Sequence, residues 1–187
     1  MRVRLRPAPG PREMQMLYPE PHDHTRWPDH LIRVEETTRM ALEMMPRGGT
    51  VADLSCGDAT IARSLAERCG AHCILGDFAA GYEYQGRIED TVQCIAPGAV
   101  NLWILSETLE HLDDPELVLR EIRRRAAQLL LSTPIGEMTA GNREHLWGWD
   151  CEDVRRMLEA TGWNPVRHEV LEHPASGIYS FQLWGCE

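Results

Sequence analysis

Four short apolar runs, TVADLS, HCILGD, VNLWIL and LLLST, constrain this chain more than any other feature, because segments of helical periodicity alternate with them. Runs this short and this continuously apolar suit strands covered on both faces, the condition of a parallel sheet with helices packed on either side. After the first run, Ile61, Leu65 and Cys69 share one helical face, and Gly70 ends the helix. Upstream, from Asp29, Leu31, Val34, Ala41, Leu42 and Met45 recur near the 3.6 period until Pro46, Gly48 and Gly49 stop it. Asp114 and Pro115 supply an N-cap and a first helical position for Leu117, Val118, Ile122 and Ala126. Arg123, Arg124 and Arg125 follow at the end where the helix dipole favours cations, and read as solvated charges. A last helix begins after Asp150, buries Val154, Met157 and Leu158, and stops at Gly162. VRHEVL and GIYSFQLW then predict two strands joined by a turn around Pro174 and Gly177.

The expected fold is therefore α/β: a Rossmann-like open sheet, mostly parallel, with helices on both faces and a C-terminal antiparallel edge hairpin. Between the second and third strands, AAGYEYQGRIEDTV is too short and too broken by glycine for a full helix, so that cover is reduced. A sheet short of one cover invites a second copy, and a homodimer is expected on that ground. At 187 residues the chain predicts one domain, 30–187, preceded by an arm or lid, 1–29, that carries no helical or strand periodicity.

Charge removes whole classes of chemistry. All 19 basic residues are Arg, so Schiff-base catalysis and phosphate-loop lysines are excluded. The formal net charge of -10 opposes a broad nucleic-acid face, which needs clustered cations. The avoidance of Lys points to a high-GC bacterium or its phage. No apolar run reaches the length of a membrane span, and MRVRLRPAPGPRE lacks the apolar core of a secretory signal, so the expected location is cytoplasmic. There the six cysteines, Cys56, Cys69, Cys73, Cys94, Cys151 and Cys186, are expected reduced and mostly core-filling. The CGAHC pair lacks a second pair to complete a zinc site, and the His22, Asp23, His24 and His30 cluster reads as a polar arm; no metal is assigned.

In an open parallel sheet the ligand lies beyond the carboxyl ends of the strands. Those edges carry Asp53, Ser55, Cys56, Gly57 and Asp58; Asp77 and Phe78; Arg87, Ile88 and Glu89 after Gly86; and Ser106, Glu107, Glu110 and His111. Asp77 follows Gly57 by twenty residues, a separation that suits a carboxylate accepting ribose hydroxyls. Acids beside the glycine turn would repel a pyrophosphate, so the turn favours a ligand that is neutral or cationic there.

VADLSCGDATIARSLA, then ILGDFA, then WILSETLEHLDDPELVLREI resemble the class I S-adenosylmethionine-dependent methyltransferases, and the similarity extends through LLLSTPIGE and EHLWGWDCEDVRRMLEATGW, roughly residues 50–170. The resemblance implies S-adenosyl-L-methionine as cofactor. It implies that Asp53, Ser55, Cys56 and Gly57 hold the methionine end, that Asp77, with Phe78 beside it, takes the ribose hydroxyls, and that Ile88 and Glu89 flank the adenine. Ser106 and Glu107, and the segment on to His111, would lie beside cofactor and acceptor. The pattern departs from the family at Ser55 and Ala59, where glycine is common, and at Arg87, where an acid often stands.

Methyl transfer is an in-line displacement, so positioning carries much of it and a base is needed only where the acceptor must lose a proton. His111 is the best-located candidate, with Glu144 and His145 in the loop 134–149 and the arm histidines behind them. Trp147 and Trp149 read either as a stacking surface for a planar acceptor or as loop anchors; Tyr18 and Trp27 read as a cover for the cofactor or as docking. The expected acceptor is a small molecule methylated on O or N. The alternatives are a nucleic-acid or protein methyltransferase, or a non-catalytic cofactor-binding module.

Overall fold

The structure is a computed structural model and describes residues 1–24, 26, 28–139, 141–172 and 180–187. In chain order its elements are β1 (Val3–Arg4), α1 (Pro11–Leu17), α2 (Pro28–Met44), β2 (Thr50–Asp53), α3 (Thr60–Cys69), β3 (His72–Asp77), β4 (Tyr84–Gln85) and α4 (Ile88–Thr91). There follow β5 (Val100–Ser106), α5 (Pro115–Arg123), β6 (Ala126–Ile135), β7 (Trp147–Gly148), α6 (Cys151–Ala160), β8 (Pro165–Leu171) and β9 (Ser180–Cys186). The four apolar runs are β2, β3, β5 and β6.

The main sheet has the order β4-β3-β2-β5-β6-β9-β8. Its first five strands are parallel, and β9 pairs antiparallel with both β6 and β8, which gives the expected edge hairpin. Its turn around Pro174 and Gly177 lies outside the described residues. The chain moves outward from β2 through β3 to β4, then returns to the other side of β2 with β5. That reversal is a topological switch point, and it opens a crevice at the carboxyl ends of β2 and β5.

Helices cover both faces. α2 and α3 pack Val34, Met40, Ala41, Ile61 and Leu65 against Val51, Leu102, Ile104 and Leu130. On the other face α4, α5 and α6 enclose Ala52, Trp103, Leu105, Leu129 and Leu131. The cover between the second and third strands is indeed trimmed, to the four residues of α4 and a 3-10 turn at Val92–Cys94. It nevertheless buries Ile88, Val92 and Ile95 in the core on that side, so the sheet face expected to be bare is largely closed, and half-buried Ile74 on β3 remains.

Several local expectations change. Leu31 is exposed and the buried face of α2 is instead Arg33, Val34, Thr37, Thr38, Met40 and Ala41. α5 begins as expected, with the Asp114 carboxylate accepting from the Leu117 N–H at 2.9 Å. It ends at Arg123, however; Leu117 is exposed and Ala126 opens β6. Arg125 is not a solvated helix-end charge: it is buried and donates to the Ile95 carbonyl at 2.9 Å and to Glu121. The arm has structure too. β1 pairs antiparallel with β7 inside the loop expected to be irregular, and Leu5 N–H donates to the Leu146 carbonyl at 2.8 Å. Pro11 at the helix start explains why α1 forms in a stretch without apolar periodicity. α6 carries a full capping box, Asp150 with Asp153. Among the described residues, no helix is long and apolar enough to cross a membrane.

Candidate active site

At the switch point lies a cavity of about 240 Å³. Its floor is the turn after β2. Gly57 holds φ +53°, and a Cβ there would meet the His22 carbonyl at 2.8 Å and His24 Cε1 at 2.9 Å, so this glycine serves both the turn and the close approach of the arm. Ala59, two residues on, takes φ +59° without being glycine. The arm is tied down here: Asp58 N–H donates to the His22 carbonyl at 2.9 Å, and His24 Nδ1 lies 2.7 Å from Asp58 Oδ1.

Asp77, at the end of β3, closes this side. Its Oδ2 accepts the Gly57 N–H at 2.8 Å and its Oδ1 the Ala79 N–H at 2.9 Å. Burial raises its carboxyl above the usual range in spite of those two bonds. Each oxygen retains a further lone pair for a hydroxyl. Ser55, Gly57, Asp77, Phe78, Ile88 and Glu89 all line the cavity. Two of the expected residues do not: Asp53 and Cys56 are buried behind the turn, Asp53 accepting from Ser55 N–H at 3.2 Å and Cys56 N–H donating to the Gly76 carbonyl at 3.0 Å. Burial pushes the Asp53 carboxyl up to about 7.

The opposite wall is made of side chains. Glu107 adopts φ +50°, in the left-handed region, and its Oε1 accepts from Ser132 Oγ at 2.9 Å. Ser106 Oγ lies 2.9 Å from Ser132 Oγ, the partner that the β5–β6 register sets opposite it. Arg33, from the core face of α2, reaches Ser106 Oγ with its Nη1 at 2.5 Å, while its Nε is buried without a partner. Glu110 is 1% exposed; its Oε2 accepts from Thr133 Oγ1 at 2.9 Å and its Oε1 has no hydrogen bond. Burial, and then Glu107, pushes the Glu110 carboxyl up to about 8.

His111 and His145 meet edge to face with ring centroids 4.9 Å apart. His111 Nδ1 lies 3.1 Å from both the Tyr18 hydroxyl and the Glu144 carbonyl oxygen. Burial, and then His145, pushes the His111 ring down to about 3. His145 Nδ1 is bonded to the Glu137 carboxylate and its Nε2 lies 3.0 Å from Asn142 Nδ2. Burial disfavours its charged form, but Glu137 and Glu110 outweigh that and hold it above the ordinary histidine range. Glu144 also lines the cavity and, after burial, is the main reason the Tyr18 hydroxyl is held above its usual range.

The structure thus brings His111, Glu144 and His145 together on one wall with Ser106 and Glu107, from segments more than thirty residues apart. Sequence reasoning missed Arg33 and Asn142. Arg33 carried a signal, since it falls on the apolar stripe of α2, where a charge needs a reason. The tryptophans resolve as anchors. Trp147 Nε1 donates to the Leu112 carbonyl at 2.8 Å under the Arg2 and Arg4 guanidiniums, and Trp149 is 1% exposed with its Nε1 3.1 Å from Thr133 Oγ1; neither lines the cavity. Tyr18 does, packing edge-on to Phe78 and His111; Trp27 lies outside the described residues.

No protein-family model matches the sequence, and no curated protein matches it. Solved structures do match in fold. A Burkholderia thailandensis 1,6-didemethyltoxoflavin-N1-methyltransferase, crystallised with its named ligand and S-adenosylhomocysteine, aligns over 100% of this chain and 94% of its own at TM-score 0.78 and 12% identity. An Aquifex aeolicus SAM-dependent methyltransferase aligns over 95% and 98% at TM-score 0.62 and 17% identity. The [4+2]-cyclase SpnF aligns over 98% of both chains at TM-score 0.70 and 12% identity. The fold is that of the class I S-adenosylmethionine-dependent methyltransferases, and at these identities the likeness concerns the fold alone.

Proposed function

We propose that the protein is an S-adenosylmethionine-dependent methyltransferase that transfers a methyl group to O or N of a small-molecule acceptor. The observation that carries this reading is that a carboxylate, Asp77, and a guanidinium, Arg33, line the same switch-point cavity. Asp77 offers spare carboxylate lone pairs to hydroxyls, and Arg33 lends the cavity a positive charge. A ligand with a ribose at one end and a carboxylate at the other meets both needs, and S-adenosyl-L-methionine is such a ligand.

Ser55 and Gly57 would bound the methionine portion, Asp77 and Phe78 the ribose, and Ile88 and Glu89 the base. When bound, the cofactor supplies an electrophilic methyl on a cationic sulfur. The acidic wall of Glu107 and Glu110 favours positive charge in the cavity. The chain's own contribution is to orient the acceptor among His111, Glu144 and His145, and to exclude water by laying α1 and the 18–24 segment over the opening. An acceptor that must lose its proton would give it to a group on that wall; His111 Nε2 is the ring nitrogen not engaged by Tyr18 or Glu144.

Three features favour a small acceptor: the cavity is roofed by the arm, the chain is acidic, and a fold neighbour is named for 1,6-didemethyltoxoflavin, a small molecule, as its acceptor. A cyclase on the same fold favours one other reading, a cofactor-binding enzyme whose reaction is not methyl transfer. The 1–29 arm acts as a lid on the domain 30–187, and a second copy on the thinly covered sheet face at β3 would give a light-scattering mass twice the 21.3 kDa of one chain.

Calorimetric titration with S-adenosylmethionine and S-adenosylhomocysteine tests the reading. Both are expected to bind near one to one, and ligand at 100 times its Kd should add about 2.7 kcal/mol to stability. No binding by folded protein overturns it. Binding followed by cofactor-dependent product without mass gain in the acceptor would favour the cyclase-like alternative.

A further inference from the structure

We infer that Glu110, His111 and His145 form a binding site for a first-row divalent cation of the zinc type, open to the cavity. Among the described residues, one group of three His, Cys, Asp or Glu side chains stands close enough to hold an ion, and it is this one, its ligand atoms all within 4.8 Å of one another. The second, independent observation is Glu110 itself. At 1% exposure its Oε1 makes no hydrogen bond and lies 3.7 Å from His111 Nε2, so a buried carboxylate oxygen is aimed at the imidazole with nothing between them.

The surroundings of the two histidines are those of metal ligands. A ligating imidazole characteristically donates its other ring N–H to a carboxylate or backbone carbonyl, which fixes the tautomer and turns the free lone pair toward the metal. His145 Nδ1 meets the Glu137 carboxylate, and His111 Nδ1 meets the Glu144 carbonyl at 3.1 Å. Both rings therefore present Nε2. Thr133 Oγ1 holds the other oxygen of Glu110, so the carboxylate is oriented as well. Ligands about 2.0–2.2 Å from a tetrahedral ion stand roughly 3.4 Å apart, so the three side chains close by about an ångström on binding. The Asn142 amide, 3.0 Å from His145 Nε2, must give way, while its Oδ1 stays held by Glu144 N–H at 2.9 Å.

Two imidazoles and one carboxylate select zinc-type ions over Mg²⁺ and Ca²⁺, which prefer all-oxygen sites. Three protein ligands leave a position open toward the cavity, where an oxygen donor would bind. That this donor belongs to a methyl acceptor rests on the methyltransferase reading; the cation site does not. With a cation on Nε2, His111 is a ligand and no longer a base, and activation of the acceptor falls to the metal, which lowers the pKa of an oxygen bound to it.

The test uses the full chain freed of metal by chelation. Titration with Zn²⁺ and Co²⁺ is expected to show one site, with Co²⁺ giving the visible bands of a four- or five-coordinate ion, no thiolate charge-transfer band, and at least 100-fold weaker binding of Mg²⁺. Glu110→Gln is expected to weaken Zn²⁺ binding at least 100-fold, and Glu137→Gln, acting through His145, about 10–100-fold. His22→Ala, in the arm's histidine cluster, should change it less than threefold. Should Glu110→Gln fail to fold, His111→Gln provides the same comparison. Absence of a site, unchanged affinity in the ligand variants, loss in His22→Ala, or a thiolate band overturns the inference. Binding of S-adenosylhomocysteine by the metal-free protein, measured in parallel, reports on the methyltransferase reading separately, so either can fail alone.

Discussion

The two walls of the cavity are built by different means. On the glycine-turn side, position comes from the backbone: Gly57, Asp77 and Ala79 are joined through main-chain N–H groups at adjoining strand ends. On the histidine side it comes from side chains borrowed from α2, the turn after β5, β6 and the loop before β7, joined as Arg33 to Ser106, Ser132 to Glu107, Thr133 to Glu110 and Glu137 to His145. A backbone-built wall is the same for any sequence that can make the turn and suits a constant ligand. A side-chain wall changes with single substitutions and suits the ligand that differs between enzymes of one fold.

The largest expected effect tests how the first wall is supported from behind. Asp53 is held up to about 7 by burial, with Asp77 adding to the shift and Arg33 opposing it. A folded-state value raised above the unfolded one means that the folded protein binds more protons, so stability falls as pH rises from about 4 to about 7 and is level above that. The raised value corresponds to on the order of 4 kcal/mol at most. Urea unfolding across pH 4–8 is expected to show a steeper loss for the wild type than for Asp53→Asn, and parallel profiles would reject the assignment. Glu110 slopes the same way in both proteins and drops out of the difference.

Next is Gly57→Ala. A side chain at φ +53° costs about 1–3 kcal/mol, and the added Cβ also displaces the His22 carbonyl and His24. The melting temperature should fall, and cofactor titration should weaken with it, because floor and arm share this contact. Unchanged hydrogen exchange in the 18–24 segment would show that the arm does not depend on the turn.

Asp77→Ala separates binding from architecture. Leaving ribose hydroxyls unpaired should weaken S-adenosylhomocysteine by on the order of 1–3 kcal/mol, read by calorimetry. Equal affinity would remove the ribose from this position. If the walls are as distinct as they look, Asn142→Ala should leave that affinity within about threefold and alter turnover only.

These walls were also unequally legible. Periodicity and turn residues announced β2, β3, β5, β6, α3 and α6, and with them the carboxyl edge that carries Asp77 and Gly57. The distance in sequence from Gly57 to Asp77 is short, and local signals suffice there. The histidine wall depends on the approach of the loop 136–146 to the turn after β5, which no local pattern encodes; His145 and Glu137 become neighbours of Glu110 only through the long β6. Arg33 was hidden for the opposite reason, because a helix read for its apolar stripe gives no weight to a charge lying on it. The arm was legible least. Its order comes from tertiary partners, β7 for β1 and Asp58 for His24, rather than from any propensity of its own.

The smallest effect concerns that arm. Trp147 lies beneath the Arg2 and Arg4 guanidiniums, with their carbons 3.9 and 4.6 Å from its ring centroid, and its indole N–H holds the Leu112 carbonyl. Cation–π contacts at partly exposed positions contribute about 0.5–1 kcal/mol each. Trp147→Ala should therefore lower stability by about 1–2 kcal/mol and loosen β1 from β7, seen as faster exchange of the Leu5 amide. Since Trp147 does not line the cavity, cofactor affinity should hold. A large loss of affinity would instead mean that the pairing of β1 with β7 braces the histidine wall through Leu146 and His145. The backbone-built and side-chain-built halves would then be one mechanical unit rather than two.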